Sequence, residues 1–179
     1  MSSQEFGSFF ILLVVAGNET TRNAISHGMR QLSLQPDERA KWFNNFDANT
    51  KTAVEEIVRW ASPVIHFRRT ATRDTEIRGV KIKEGEKIVM WYNSANRDED
   101  VFDDAEAIDL ERHNADRHLS FGYGIHYCMG SRLAELQLRV LWEEILERIE
   151  RIEIQAEPER TFSSFVHGYT NLPVRLTRR

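Results

Sequence analysis

A single cysteine occurs among 179 residues, Cys128, and within a few positions it is framed by Phe121, Gly122, Gly124, His126 and Gly130. A lone thiol forms no internal disulfide and no four-thiolate iron–sulfur or zinc centre. Three uses remain: a small buried hydrophobe, a nucleophile with His126 as its base, or the one axial thiolate that a haem iron needs. The frame argues against the first. Glycines at 122, 124 and 130 let the chain turn tightly and approach a flat or bulky partner, because no Cβ stands in the way. A spacing of two residues within a turn makes a His126–Cys128 hydrogen bond awkward. A position just before a helix suits an anionic sulfur, since free N–H groups and the helix dipole point at it.

Other chemistry-bearing residues are more ambiguous alone. Glu56 and Arg59 stand three apart, which on a helix gives a surface ion pair of a few tenths of a kcal/mol or, if enclosed, a buried one. Ala16, Gly17, Asn18, Glu19, Thr20 and Thr21 put a glycine, an acid and hydroxyls together. A mid-helix glycine costs about 1 kcal/mol relative to alanine and suggests a local opening for oxygen and water. Thr20 taken by itself bonds back to a carbonyl one turn earlier. Arg69 and His118 read in isolation as solvated loop residues.

These residues must be positioned by a mostly α chain. From about Gly7 to Leu34 the pattern is one helix, apolar first and amphipathic later, and Pro36 opens a short second helix. The apolar run Phe9–Ala16 is too short for a membrane span, which takes about 20 residues, and reads as buried helix. Another helix runs from Thr52 to Ala61 and stops before Ser62 and Pro63. Thr75–Tyr92 changes to a strand period with a glycine turn at Lys83–Glu86, a β-hairpin. Asn93–Leu119 has no sustained period and reads as a long irregular connection. Ser131–Ile152 returns to helix, and Phe162–Leu176 reads as a second hairpin turning near Thr170 and Asn171.

At 20.9 kDa the chain holds one domain of ordinary size. Hydrophobic residues at 41% and charged residues at 29% exclude a disordered or fibrous class. A net charge of −4 and a pI near 5.9 give no general attraction to nucleic acid. One cysteine and no basic leader fit an intracellular, cytoplasmic home.

The pattern Phe121-x-x-Gly124-x-His126-x-Cys128-x-Gly130 resembles the haem-binding loop of the cytochrome P-450 family of haem-thiolate monooxygenases. Ala16–Thr21 resembles the oxygen-activation motif of that family's long central helix, and Glu56-x-x-Arg59 its internal ion pair, in the same order along the chain. The variant Ala-Gly-Asn-Glu-Thr-Thr is most similar to bacterial members that oxidise the terminal methyl of sterols and methyl-branched lipids. The resemblance implies that residues 1–179 are a single partial domain, the C-terminal portion of that fold, mostly α with small β-hairpins, running from the long central helix to the haem-binding loop and the helix after it. The family's earlier helices have no counterpart here, and apolar surface of the first helix is expected to be bare without them.

The resemblance also implies roles. Cys128 is the metal ligand to haem b, with Phe121, Gly122, Gly124, Gly130, Ala16 and Gly17 against the cofactor. Arg69, His118 and His126 bind the haem propionates, a task that suits the arginine fork. Glu19 relays protons and Thr20 positions them toward dioxygen. Arg112 joins Glu56 and Arg59 in a structural ion-pair network. Ile65, His66, Phe67, Phe165 and Val166 line the substrate, with core packing as the equal alternative. The implied reaction inserts one atom of O2 into an unactivated C–H bond of a small apolar substrate, with electrons from a ferredoxin or similar donor. A non-catalytic haem-binding module and a thiol hydrolase using Cys128 are the rival readings.

Overall fold

In the computed structural model, which covers all 179 residues, Ser2 and Glu5 cap each other's backbone N–H groups and start helix α1, Ser3–Leu34. At 1.5 Å per residue it is about 48 Å long. Pro36 opens α2, Pro36–Asn44, at a position whose N–H needs no partner. Helix α3, Phe46–Ala61, begins before the expected Thr52 and closes at Ser62, in the left-handed region at φ +40°, just ahead of Pro63.

Four strands follow: β1 His66–Thr70, β2 Thr75–Ile77, β3 Val80–Ile82 and β4 Lys87–Trp91. The expected hairpin is realised only between β2 and β3, around Arg78 and Gly79, both at positive φ. The glycine turn at Lys83–Glu86 leads from β3 to β4 without pairing them. Strand β4 pairs instead with β1, placing Arg69 opposite Ile88.

A short helix α4, Tyr92–Ala95, opens the long connection, and α5 runs from Ser131 to Arg148. The helix expected to reach Ile152 ends early, because Ile149–Ile154 is strand β5. After β6, Glu159–Arg160, come β7, Tyr169–Asn171, and β8, Val174–Arg178. Strand β5 pairs with β8 and β6 with β7, all antiparallel. Thr170 and Asn171 therefore lie inside β7, and the expected second hairpin between Phe162 and Leu176 does not form.

The core lies where α3 and α5 meet the second half of α1. Ala53, Val54, Ile57 and Val58 of α3 and Leu138 and Trp142 of α5 are buried together with Trp42, Ile108 and Leu110. In α1 the buried residues are Asn23, Ala24, His27, Gly28, Gln31 and Leu32. The earlier stretch, Phe9 to Val15, is exposed all round. The expectation of a buried helix there is corrected, and the bare apolar surface that the resemblance implies is what is found: beyond Phe6 stacking on Phe10, the run is left open. No helix is long and apolar enough to cross a membrane.

One buried polar residue gives the fold a pH dependence. Burial first, and then the nearby His167, Arg160 and Arg30, push His27 down to about 3, against an opposing contribution from the His167 backbone. An unfolded histidine titrates near 6.5, so below that pH the unfolded chain binds a proton that the folded chain refuses. More protons on the unfolded state means stability rises with pH and falls on acidification through 6.5, by roughly 2 kcal/mol at pH 5 for this one group. His27→Phe should flatten that part of the melting temperature versus pH curve; an unchanged slope in the variant would refute the assignment.

Candidate functional site

Cys128 ends a loop whose backbone is set by two left-handed glycines, Gly122 at φ +73° and Gly124 at φ +67°, a conformation open to glycine at little cost. Gly122 N–H donates to Leu119 C=O at 2.8 Å, Tyr127 N–H to Gly124 C=O at 3.0 Å, and Cys128 N–H to Phe121 C=O at 2.8 Å. Phe121 anchors the loop by packing against the core. Gly130 is different. It has ordinary φ and serves as N-cap of α5.

The thiol is exposed, which removes the reading of Cys128 as a small buried hydrophobe. A Cβ added at Gly124 or at Gly17 would meet nothing within 4 Å, and one at Gly130 would meet only Cys128 Sγ at 3.9 Å. Ring-nitrogen hydrogen bonds in this protein belong to His118 and His167. His126, exposed on the Gly124–His126 turn, makes none to the thiol, so no nucleophile–base pair is present.

The loop is tied to α3 through His118. Ser120 N–H donates to His118 Nδ1 at 3.1 Å, which leaves the proton on Nε2, 3.0 Å from Glu55 Oε2. Both ring nitrogens of His118 are thus engaged within the chain, and the side chain is buried. Ser120 Oγ donates to Val58 C=O at 2.9 Å, and Asn96 Nδ2 donates to Ser120 Oγ and Ser62 Oγ, both at 2.8 Å. Sequence reading missed Glu55, Asn96, Ser62 and Ser120, whose residue types carry no periodic signal.

Glu56 and Arg59 are fully buried, so the surface-pair alternative is corrected. Arg59 Nε and Nη2 donate to the two Glu56 carboxylate oxygens at 2.6 and 2.8 Å. Its remaining N–H groups reach the carbonyls of Asn96, Ala105 and Ala107 at 2.6, 2.9 and 2.9 Å. All five guanidinium donors are satisfied. Arg112 Nε and Asp109 N–H complete the carboxylate at 3.1 and 2.9 Å. The connection from Asn93 to Leu119 is ordered around these two arginines rather than by periodic structure.

Residues of the first helix relevant to chemistry bond within it. Helix α1 runs unbroken through Gly17, correcting the expected opening; what the glycine leaves is space beside the helix. Thr20 Oγ1 donates to Ala16 C=O at 2.7 Å, and Glu19 pairs with Arg22 one turn on. Arg69 on β1 is half-buried and spends one guanidinium donor on Arg68 C=O.

The residues 65–67 and 165–166 are brought together. Ile65 N–H donates to Phe165 C=O at 2.9 Å and Val64 bridges Val166. Phe165 stands edge-on to Phe67 and His66, with centroids 5.5 and 6.1 Å apart. Phe67 and Phe165 are each 43% exposed, so this aromatic group faces out of the core on one side.

A model of the cytochrome P450 family matches residues 1–174. The chain is 52% identical over 175 residues to the methyl-branched lipid omega-hydroxylase of Mycobacterium tuberculosis. It is 45% identical over 175 residues to the steroid C26-monooxygenase of Rhodococcus jostii. It spans 97% of itself in both matches but only 41% and 36% of those relatives. Among solved structures, cytochrome P450-153 from Novosphingobium aromaticivorans superposes with a TM-score of 0.91 at 49% identity, covering 99% of this chain and 45% of that one. A Mycobacterium marinum cytochrome P450 in complex with pseudoionone gives 0.94 at 43% identity, covering 97% and 42%. With the family model covering nearly the whole chain and the fold shared with these structures, the chain belongs to the cytochrome P450 family.

Proposed function

We propose that this chain is the thiolate-bearing portion of a haem-dependent monooxygenase that inserts one atom of O2 into a C–H bond of an apolar substrate, a sterol or methyl-branched lipid. The observation that carries the reading is the exposed, unpartnered Cys128 at the end of a loop held open by Gly122 and Gly124. The names of the omega-hydroxylase and steroid C26-monooxygenase relatives support the substrate class.

The residues present fit haem b. Cys128 supplies a single thiolate, and a sulfur ligand pushes electron density that favours O–O cleavage. Arg69 and His126 have donors free for propionates, whereas His118 would first have to leave Glu55. Bound there, the haem supplies the activation of dioxygen. The chain supplies the rest. Glu19 relays protons to Thr20 Oγ1, which exchanges its bond to Ala16 C=O for one toward the reaction centre. Ile65, His66, Phe67, Phe165 and Val166 orient the apolar substrate and exclude water. Electrons come from a ferredoxin or similar donor.

Thr20→Ala is expected to lower product formation by about 10²-fold with the fold intact, since it removes a positioned proton carrier. Because this portion alone is expected to be inactive, the test uses the protein extended to the full length of its relatives, haem-loaded and supplied with reductant, oxygen and a methyl-branched fatty acid, and reads product formation. No product from the unmutated protein would favour the non-catalytic haem module, and full turnover by the variant would remove Thr20 from the proton path.

A further inference from the structure

Four buried polar atoms on α1 have no hydrogen-bond partner: Nδ2 and Oδ1 of Asn23 and both ring nitrogens of His27. Each residue is 1% exposed, and these atoms retain no surface on which a water could sit. An unpartnered buried polar group costs about 1–3 kcal/mol, a cost that apolar side chains of the same shape would not carry. Neither residue takes part in any role derived above for the candidate site. Their place on the helix is telling. Thr20, Asn23 and His27 follow at intervals of three and four, so they share one face.

One short segment lies against both of them, with Trp60 beside His27 at 6.0 Å between centroids. A Cβ on Gly168 would lie 2.3 Å from Asn23 Oδ1, 2.5 Å from Cγ and 2.7 Å from Nδ2, so the amide of Asn23 rests directly against this glycine. On either side, the His27 ring packs on His167 at 4.2 Å and on Tyr169 at 4.5 Å between centroids. Three consecutive residues are gripped from one helix face. The opposite side of the segment is tied to the end of α3 and to Pro63 just beyond it. His167 Nδ1 donates to Ala61 C=O at 2.7 Å, and His167 N–H to Pro63 C=O at 2.9 Å. His167 Nε2, 3.3 Å from Arg160 Nη1, is then the acceptor.

We infer that Asn23 and His27 form a clasp that fixes the turn 163–168, and with it Phe165 and Val166, relative to Thr20, and so sets which carbon of the substrate is oxidised. The inference rests on the monooxygenase reading above. It follows from how little slack the turn has. Phe165 already stands against Phe67 and His66, and its carbonyl accepts from Ile65 N–H. Any displacement of Gly168 away from Asn23 is therefore passed to the aromatic wall. Asn23 and His27 act as positioning residues, through the turn, without touching the substrate.

Gly168 does not sit in the left-handed region, so Gly168→Ala tests the contact alone, free of backbone strain. Asn23→Ala in the same chain removes the atoms that the new methyl would strike. Two readouts are made on the haem-loaded protein: amide hydrogen exchange of residues 163–168, and the ratio of terminal to penultimate oxidation of a methyl-branched fatty acid. Gly168→Ala should speed exchange of the turn by about tenfold and shift the product ratio by about tenfold. The double variant should restore both to within about twofold of the unmutated protein. Unchanged exchange or an unchanged ratio in Gly168→Ala would overturn the proposal, as would a double variant that stays as perturbed as the single one. Absence of any product from the unmutated protein would bring the proposal down together with the reading it rests on. That result is distinct from failure of the clasp itself, in which the unmutated protein turns over and all three proteins exchange alike.

Discussion

Cys128→Ser is expected to abolish substrate oxidation while leaving the chain as stable as before. The two halves of this expectation have separate physical grounds. The side chain is exposed and makes no hydrogen bond within the protein, and surface replacements of that kind usually change stability by no more than about 0.5 kcal/mol. The loop does not depend on the sulfur either, since its shape comes from the Cys128 N–H to Phe121 C=O bond and from Gly122 and Gly124. Serine keeps all of these. What it lacks is a thiolate, because a hydroxyl in this position has neither the acidity nor the soft, electron-rich sulfur that favours O–O cleavage at iron. A product assay paired with a thermal melt separates the two effects. Retained turnover in Cys128→Ser would remove the residue from the chemistry.

Glu56→Ala is expected to cost about 3–5 kcal/mol, because it strips the counter-charge from two arginines that stay enclosed. Glu56 and Arg59 have no exposed surface and Arg112 is 6% exposed, so water cannot replace the lost carboxylate. Asp109 N–H would also lose its acceptor. For a chain of this length that energy lowers the melting temperature by roughly 6–20 °C. The damage should concentrate in residues 93–119, whose carbonyls at Asn96, Ala105 and Ala107 are gathered by Arg59. That segment leads directly into Leu119 and Ser120, which are fastened by Asn96. Loss of order there loosens the thiol loop from a distance. A drop in melting temperature of less than about 2 °C would show that the pair contributes no more than an exposed one does.

The thiol loop was legible in the sequence because its signal is local: one cysteine, two glycines that must take positive φ, and a helix start immediately after. The first helix was legible through its length and its break at Pro36. The strands were legible only in part: β2, β3 and β4 lie within the span read as a hairpin, while the pairing of β4 was not. β1 pairs with β4 some twenty residues away, and neither shows the strict alternation that marks a half-buried strand. The end of α5 was misjudged because Ile149 and Ile152 suit a helix face as well as a strand, and pairing with β8 decided the matter. The connection from Asn93 to Leu119 looked formless for a physical reason. Its order comes from backbone carbonyls converging on Arg59 and Arg112, and no side-chain pattern records that. The tie between Glu55 and His118 spans 63 positions, beyond what spacing reveals. In Phe9–Val15 apolar character promised burial and the structure leaves the residues bare, since hydropathy states a preference for cover without supplying it.

The central claim is that the sulfur of Cys128 binds haem iron. It is tested most directly by reducing the haem-loaded protein, adding carbon monoxide and recording its absorption spectrum beside that of Cys128→Ser. The account predicts the red-shifted band of a thiolate-ligated ferrous complex in the unmutated protein and its disappearance in the serine variant. The same band in both proteins, or its absence from the unmutated one, would contradict it.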